Sequence, residues 1–269
     1  MCLLLFAHRV GQYSLAVAAN RDEAHARPSL PAAFWPDAPD VLGGRDRLHG
    51  GTWLGLTRGG RFAAITNFRD GPPRRTPAPS RGSLVRFLLT DPRPLPDCLG
   101  HIRRDAGRYH GFSLLAGDGN ALWFYSNRED RLRELEPGIY GLSNHLLDTP
   151  WPKVVLGKRA LANILDHGGD ADIDALLGLL ADPATVADPD LPDTGIDRER
   201  ERALSALFIR GESYGTRCST VLLREVSGRT RFVERSFSAD AEPEREIRLL
   251  VDSGRLPAPP AAERDGPCG

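Results

Sequence analysis

Short apolar runs separated by turn residues recur through the first 143 positions of the chain. Residues 2–8 and 13–19 are strand-length apolar runs around a turn of Arg9, Val10, Gly11 and Gln12. Residues 52–57 and 61–67 form a second pair around Arg58, Gly59 and Gly60. Residues 112–116 and 121–126 form a third around Gly117-Asp118-Gly119-Asn120, the strongest turn signal in the sequence. Pro137-Gly138 predicts a further hairpin of 131–135 with 139–143, and Ser227-Gly228 joins 217–226 to 230–237.

Helical spacing falls between these groups. Ser80 and Ser83 are capping residues for 84–89, and 95–104 carries apolar residues at helical intervals. Pro152 starts a helix that runs to Leu165 and is stopped by Gly168-Gly169, and 173–180 follows. A Pro- and Asp-rich loop at 182–195 precedes a helix near 198–208. Short turns make the strands antiparallel, and βαβ alternation is missing. The pattern predicts an α+β fold of two antiparallel sheets packed together and covered by helices. A single domain is expected over residues 1–254, with a disordered Pro- and Ala-rich tail at 255–269.

Composition narrows the class. A chain of 269 residues with 41% hydrophobic positions can bury a large core. The net charge of -1 provides no basic field, so neither nucleic acid nor an anionic membrane is an expected partner. Arginine far outnumbers lysine, with Lys153 and Lys158 the two lysines, as in proteins of a GC-rich bacterium. Cys2, Cys98, Cys218 and Cys268 lie far apart, which supports neither a zinc site nor a disulfide framework. The opening apolar run lacks the basic leader and cleavage site of a secretory signal. No run approaches the roughly 20 apolar residues of a membrane helix. A soluble, cytoplasmic protein without a membrane span is expected. No nucleotide-binding glycine motif or HExxH pattern is present, so no metal and no cofactor is expected.

The candidate chemistry begins at Cys2. Removal of Met1 would give this residue a thiol and a free α-amine, a nucleophile beside a base with an unperturbed pKa near 8. Taken alone, Cys2 is equally a small apolar residue opening a buried strand. Asn20, Arg21, Asp22 and Glu23 follow the second apolar run, and the first hairpin brings them close to Cys2. An arginine there lowers a thiol pKa and a carboxylate can orient an amine; a solvated loop explains the same four residues. Asn67 and Asn144 end strands, where side-chain amides serve as oxyanion donors or as turn residues. Strand alternation puts Arg217 and Ser219 on one face and Cys218 on the other, as packing. Trp53, in a glycine-flanked segment, is either core or pocket wall. His145 beside Asn144 is the residue to watch as a conventional Cys–His base.

Together these segments resemble one family. Met1-Cys2, Asn20-Arg21-Asp22-Glu23, Gly51-Thr52-Trp53-Leu54-Gly55, Thr66-Asn67-Phe68-Arg69, Ser126-Asn127-Arg128, Gly141-Leu142-Ser143-Asn144 and Asp148-Thr149-Pro150-Trp151-Pro152-Lys153 look like the NRDE family, also called the transport and Golgi organisation protein 2 family. The resemblance covers roughly the first 155 residues closely and the last third more loosely. Ser113 stands where that family would have Asn.

The resemblance implies a four-layer αββα sandwich, the N-terminal-nucleophile hydrolase fold. It also implies chemistry similar to that of cysteine acylases such as penicillin V acylase and bile salt hydrolase. Their roles fall here on Cys2, on Arg21 with Asp22, on Asn67 and Asn144, and on Arg217. Asn20, Glu23, Trp53 and Phe68 are the implied substrate-binding residues. Those acylases space their Arg and Asp further apart than Arg21 and Asp22, so roles within residues 20–23 stay open. The implied activity is a cysteine amidohydrolase cleaving a non-peptide C–N bond of a small acyl-type substrate. The alternative is a non-catalytic protein that binds and transfers a lipid-like ligand, acyl-CoA or haem. A homodimer is one permitted assembly.

Overall fold

The computed structural model describes residues 3–71, 76–166 and 171–252. Cys2, the Gly168-Gly169 helix stop, Cys268 and the tail from residue 255 lie outside the described residues.

Strands β1 (Leu3–Val10), β2 (Tyr13–Ala24), β3 (Ser29–Trp35), β4 (Ala38–Asp46), β5 (Leu54–Thr57) and β6 (Phe62–Asn67) come first. Helices α1 (Gly82–Thr90) and α2 (Leu95–Asp105) follow. Then come β7 (Phe112–Gly117), β8 (Leu122–Ser126), β9 (Arg131–Glu134) and β10 (Gly138–Leu142). Helices α3 (Pro152–Asp166), α4 (Ile173–Leu180) and α5 (Arg198–Ala203) lead to β11 (Tyr214–Glu225), β12 (Arg229–Phe237) and β13 (Pro243–Asp252). One antiparallel sheet has the order β10-β1-β2-β11-β12-β13, the other β3-β4-β5-β6-β7-β8-β9.

Three apolar layers make this a four-layer sandwich. Leu4, Phe6, Val17, Leu42, Phe62, Phe124, Leu222 and Phe232 pack between the sheets. Ala63, Ile65 and Leu114 pack under α1 and α2 through Val85, Leu88 and Leu99. Leu3, Leu5, Ala16, Ala18 and Val221 meet Leu161 of α3 and Leu176 and Leu180 of α4. Inner strands are therefore covered on both faces, which is why β1 and β2 read as continuous apolar runs rather than as alternation. The expected αββα order is the one observed.

Several expectations need correction. Residues 131–143 are not a hairpin: β9 edges the seven-stranded sheet and β10 edges the six-stranded one. Pro137-Gly138 sits where the chain crosses between sheets, and turn chemistry alone does not distinguish a crossing from a hairpin. Neither Ser80 nor Ser83 caps α1 by a side-chain bond; Arg81 occupies the cap, and Ser83 Oγ donates to Ser80 O. The helix expected over 198–208 stops at Ala203. Strands β3, β4 and β13 add to the elements that the sequence pattern predicts.

Candidate active site

Residues 20–23 are not a loop. β2 continues through them, and alternation divides them into two functions. Even-numbered Asn20 and Asp22 face the helical layer, whereas Arg21 and Glu23 face the space between the sheets. Asn20 is fully buried, donating to Leu180 O and Leu207 O at 2.8 Å each and accepting from Ser219 Oγ at 2.6 Å. Its amide is thus fully used inside the protein, tying α4 and the 204–209 segment to the sheet. In this structure those bonds give Asn20 a positioning place beside the site. Asp22 Oδ1 accepts a 2.6 Å bond from Thr216 Oγ1, and Thr216 is bonded in turn to Ile209.

Arg21, 4% exposed, lies over the Trp53 ring at 4.2 Å. One Nη is 3.5 Å from Ser29 Oγ and the other 4.0 Å from Glu23 Oε2. Trp53 belongs to the inter-sheet core and also forms a pocket wall, so both of its readings hold. A Cβ on Gly44 would meet the Trp53 ring at 2.3 Å, so glycine there makes room for the indole. Gly51 makes room for backbone instead. Its Cβ would lie 2.5 Å from the Gly82 backbone, so it lets the β4–β5 loop pack on the start of α1.

Three adjoining cavities meet at this end of the sandwich among the described residues. A cleft of about 340 Å³ is lined by Glu23, Asn67, Phe68, Arg81, Asn144 and Tyr214. A second, of about 210 Å³, shares Glu23, Asn67 and Arg81 and adds Arg21, Arg27 and Trp53. A third, of about 240 Å³, shares Arg21 and Trp53 and adds Arg217, Cys218 and Glu234. Asn67 ends β6 of one sheet and Asn144 follows β10 of the other. They are joined directly, Asn144 Nδ2 donating to Asn67 O at 3.1 Å, and Arg69 N donates to Asn144 O at 2.7 Å. Phe68 reaches the cleft with its ring 4.5 Å from His145. The cleft therefore gathers two side-chain amides, two carboxylates and several arginines beside an apolar wall.

Arg217 sits at a bulge. The β2–β11 register shifts between Thr216 and Cys218, which lets Arg217 and Cys218 line the same cavity. The expectation from strict alternation is thereby corrected for this pair. Arg217 donates to His25 O at 2.9 Å and to Ala24 O at 3.4 Å, holding the exit of β2. Cys218 is packed in the inter-sheet core, and burial pushes its thiol well above the usual range. Burial also raises Cys98, so both thiols are poor nucleophiles. His145 is bonded through Nδ1 to Thr149 Oγ1 at 2.8 Å and flanked by Phe68 and Trp151. Burial and Arg69 push its imidazole below the ordinary histidine value. It acts as a packing group behind Phe68.

The family model for Transport and Golgi organisation 2 matches residues 1–239. The chain belongs to that family. The Transport and Golgi organization protein 2 homolog of Bos taurus is 37% identical over 258 residues, covering 88% of this chain and 93% of the relative. The Homo sapiens homolog is 34% identical over the same share of both chains. These relatives are animal proteins and give no support to a bacterial source. Among solved structures, the Caenorhabditis elegans ortholog of N-acylethanolamine-hydrolyzing acid amidase aligns with a TM-score of 0.47 at 10% identity, over 82% of this chain and 92% of that one.

Sequence reasoning about this family member missed the polar groups that support the cleft. Glu234 is buried on β12, its Oε1 accepting from Ala32 N at 2.6 Å. Burial raises its carboxyl to about 6, against the pull of that N–H, Cys218 and Arg21. Its signal was present: Phe232 faces the inter-sheet core, so period two turns Glu234 inward as well. Arg69 and Glu201 form a buried ion pair at 3.3 Å that holds α5 against the exit of β6. Arg27 grips Asp46 through two bonds of 3.2 and 2.8 Å at the cavity wall. No local pattern announces either pair, since the partners are far apart in sequence.

Proposed function

We propose that this family member is an N-terminal-nucleophile cysteine hydrolase that cleaves the C–N bond of a small, non-peptide acyl amide. What carries the reading is the convergence of Asn67 and Asn144, from different sheets, with Arg21 and Glu23 at the end of the sandwich where β1 begins. Cys2 is covalently joined to Leu3, and Leu3 pairs with Asn20. A first-residue thiol would therefore start within one peptide of the strand that presents Arg21.

In this mechanism the Cys2 amine takes the thiol proton and the thiolate attacks the carbonyl carbon. Asn67 and Asn144 stabilise the oxyanion. The C–N bond breaks as the amine returns the proton to the departing nitrogen. Water then hydrolyses the thioester, releasing the carboxylic acid and restoring the thiol. Asp22 orients the α-amine, and Arg21 with Arg217 favours the thiolate. Glu23, Trp53 and Phe68 contact the substrate. The reaction needs no cofactor, and a cytoplasmic monomer or homodimer of one working domain satisfies it.

Three measurements test this. Intact mass should show loss of Met1, because a retained Met1 leaves Cys2 without a free α-amine. A thiol-reactive acyl probe should label Cys2 far ahead of Cys98 and Cys218. With an acyl amide substrate in hand, Asn67→Ala should lower turnover on the order of 100-fold. Unchanged turnover would remove Asn67 from the oxyanion site.

One observation favours a non-catalytic reading. Phe68, Ile196 and Leu204 give the cleft an apolar wall suited to a lipid-like or acyl ligand. A transfer protein using that wall would bind the same ligand equally well as Cys2→Ala and would release it unchanged.

A further inference from the structure

β11 starts at the cleft with Tyr214 and ends, about 30 Å away, at the opposite end of the sandwich. There Arg224 turns inward between the sheets and is 1% exposed. Its Nη1 donates to Gly60 O at 2.6 Å and its Nε to Thr230 Oγ1 at 3.3 Å. Its Nη2 has no acceptor among the described residues. A small cavity of about 10 Å³ lies beside it, lined also by His8, Ser14, Phe62, Gly117 and Leu122. Among the described residues no carboxylate lines that cavity.

Among the described residues no acid matches the charge there. Burial pulls the Arg224 guanidinium down to about 10, so it stays cationic at neutral pH. Burial, and after it the charge of Arg9, hold the neighbouring His8 below the ordinary histidine value, which leaves its ring neutral at that pH. A buried ion is costly unless it is paired as well as hydrogen-bonded. A water molecule can satisfy the free N–H groups but cannot neutralise the charge. The cavity has room for one occupant of about water size, which excludes phosphate, sulfate and carboxylates.

We propose that this pocket is an internal site for one small monovalent anion of the halide class, held by Arg224 Nη2. The anion would complete the link between β11 and the β5–β6 turn, where Gly60 accepts from the same guanidinium. It lies outside the cleft, so it stabilises the sandwich without entering the reaction.

Crystals of the full chain soaked in sodium bromide, measured at the bromine edge, test the site without any variant. An anomalous peak within hydrogen-bond reach of Arg224 Nη2 is the expected result. Density there that lacks anomalous signal identifies water and overturns the proposal. In solution, melting is compared in sodium bromide and in sodium gluconate at matched ionic strength, for the wild type and Arg224→Met. The bromide-minus-gluconate difference in Tm should be about 5 °C more positive in the wild type, as for a ligand at about 100 times its Kd. Equal differences in the two proteins overturn the proposal even if bromide is found in the crystal.

Discussion

Arg21 and Arg224 both point into the space between the two sheets, from strands that pair with each other, yet their surroundings differ at every contact. Arg21 lies over Trp53, reaches Ser29 and Glu23, and shares a cavity with buried Glu234. Arg224 meets a carbonyl and a hydroxyl. At the cleft end the polypeptide supplies opposite charge, and an aromatic face as well, so a cation can border open cavities in a fixed orientation. At the far end it supplies neither, and the cavity is only about 10 Å³. Burial alone therefore does not distinguish a working arginine from a structural one. The acids around it and its access to a cavity do.

The largest effect should come from removing the surface on which Arg21 rests. Trp53→Ala deletes a core side chain and the cation–π partner together, and should cost about 3–5 kcal/mol in denaturant unfolding. A loss below about 1 kcal/mol would mean that the indole is pocket wall and not core. Next is Arg21→Met, which keeps much of the volume but leaves Glu234 buried without the cation whose charge pulls its carboxyl down. A destabilisation of about 3 kcal/mol is expected at neutral pH, shrinking as the solution is acidified and Glu234 takes a proton. If the loss does not shrink, the two groups are uncoupled and the contrast between the two arginines weakens.

The apolar strands were legible because layered burial leaves an unmistakable mark. β1, β2, β6, β7 and β11 are covered on both faces, so their apolar runs are continuous. β3 and β13 are edge strands with alternating or mostly exposed positions, and Pro31 and Pro243 read as breakers. The adjoining cavities were legible in Arg21, Asn67, Phe68 and Asn144, which line them. The division of residues 20–23 was not legible, because it depends on partners at 180, 207 and 216 that no local window contains. A polar run reads as the end of a strand unless tertiary hydrogen bonds let it continue inward. Asn20→Ala should lower the denaturant midpoint, by leaving two carbonyls and a hydroxyl buried without their partner.

Glu234 sharpens the comparison through pH. Its folded-state pKa of about 6 lies above the ordinary 4.5. The stability it contributes is therefore fully present below about pH 4.5 and is lost as pH rises through about 6. The difference corresponds to about 2 kcal/mol. Glu234→Gln should flatten the stability profile across that window and make the protein more stable near pH 7. A variant with the wild-type slope would show that another group titrates there.

Arg224→Met should have the smallest effect, for a reason that Arg21 does not share. Methionine fills part of the same space and removes a charge that no described acid balances, so the cost of desolvating the ion disappears. Against this stands the loss of the bonds to Gly60 O and Thr230 Oγ1, and a buried carbonyl without its donor costs about 1–3 kcal/mol. The two contributions oppose each other, and in halide-free buffer the net loss should be about 1 kcal/mol, read from the urea midpoint at pH 7. With halide present the wild type gains a ligand that the variant cannot hold, so the gap between them should widen. A loss in halide-free buffer as large as that of Arg21→Met would mean that the carbonyl and hydroxyl suffice to hold a buried guanidinium, and the two ends of the sandwich would then follow one rule.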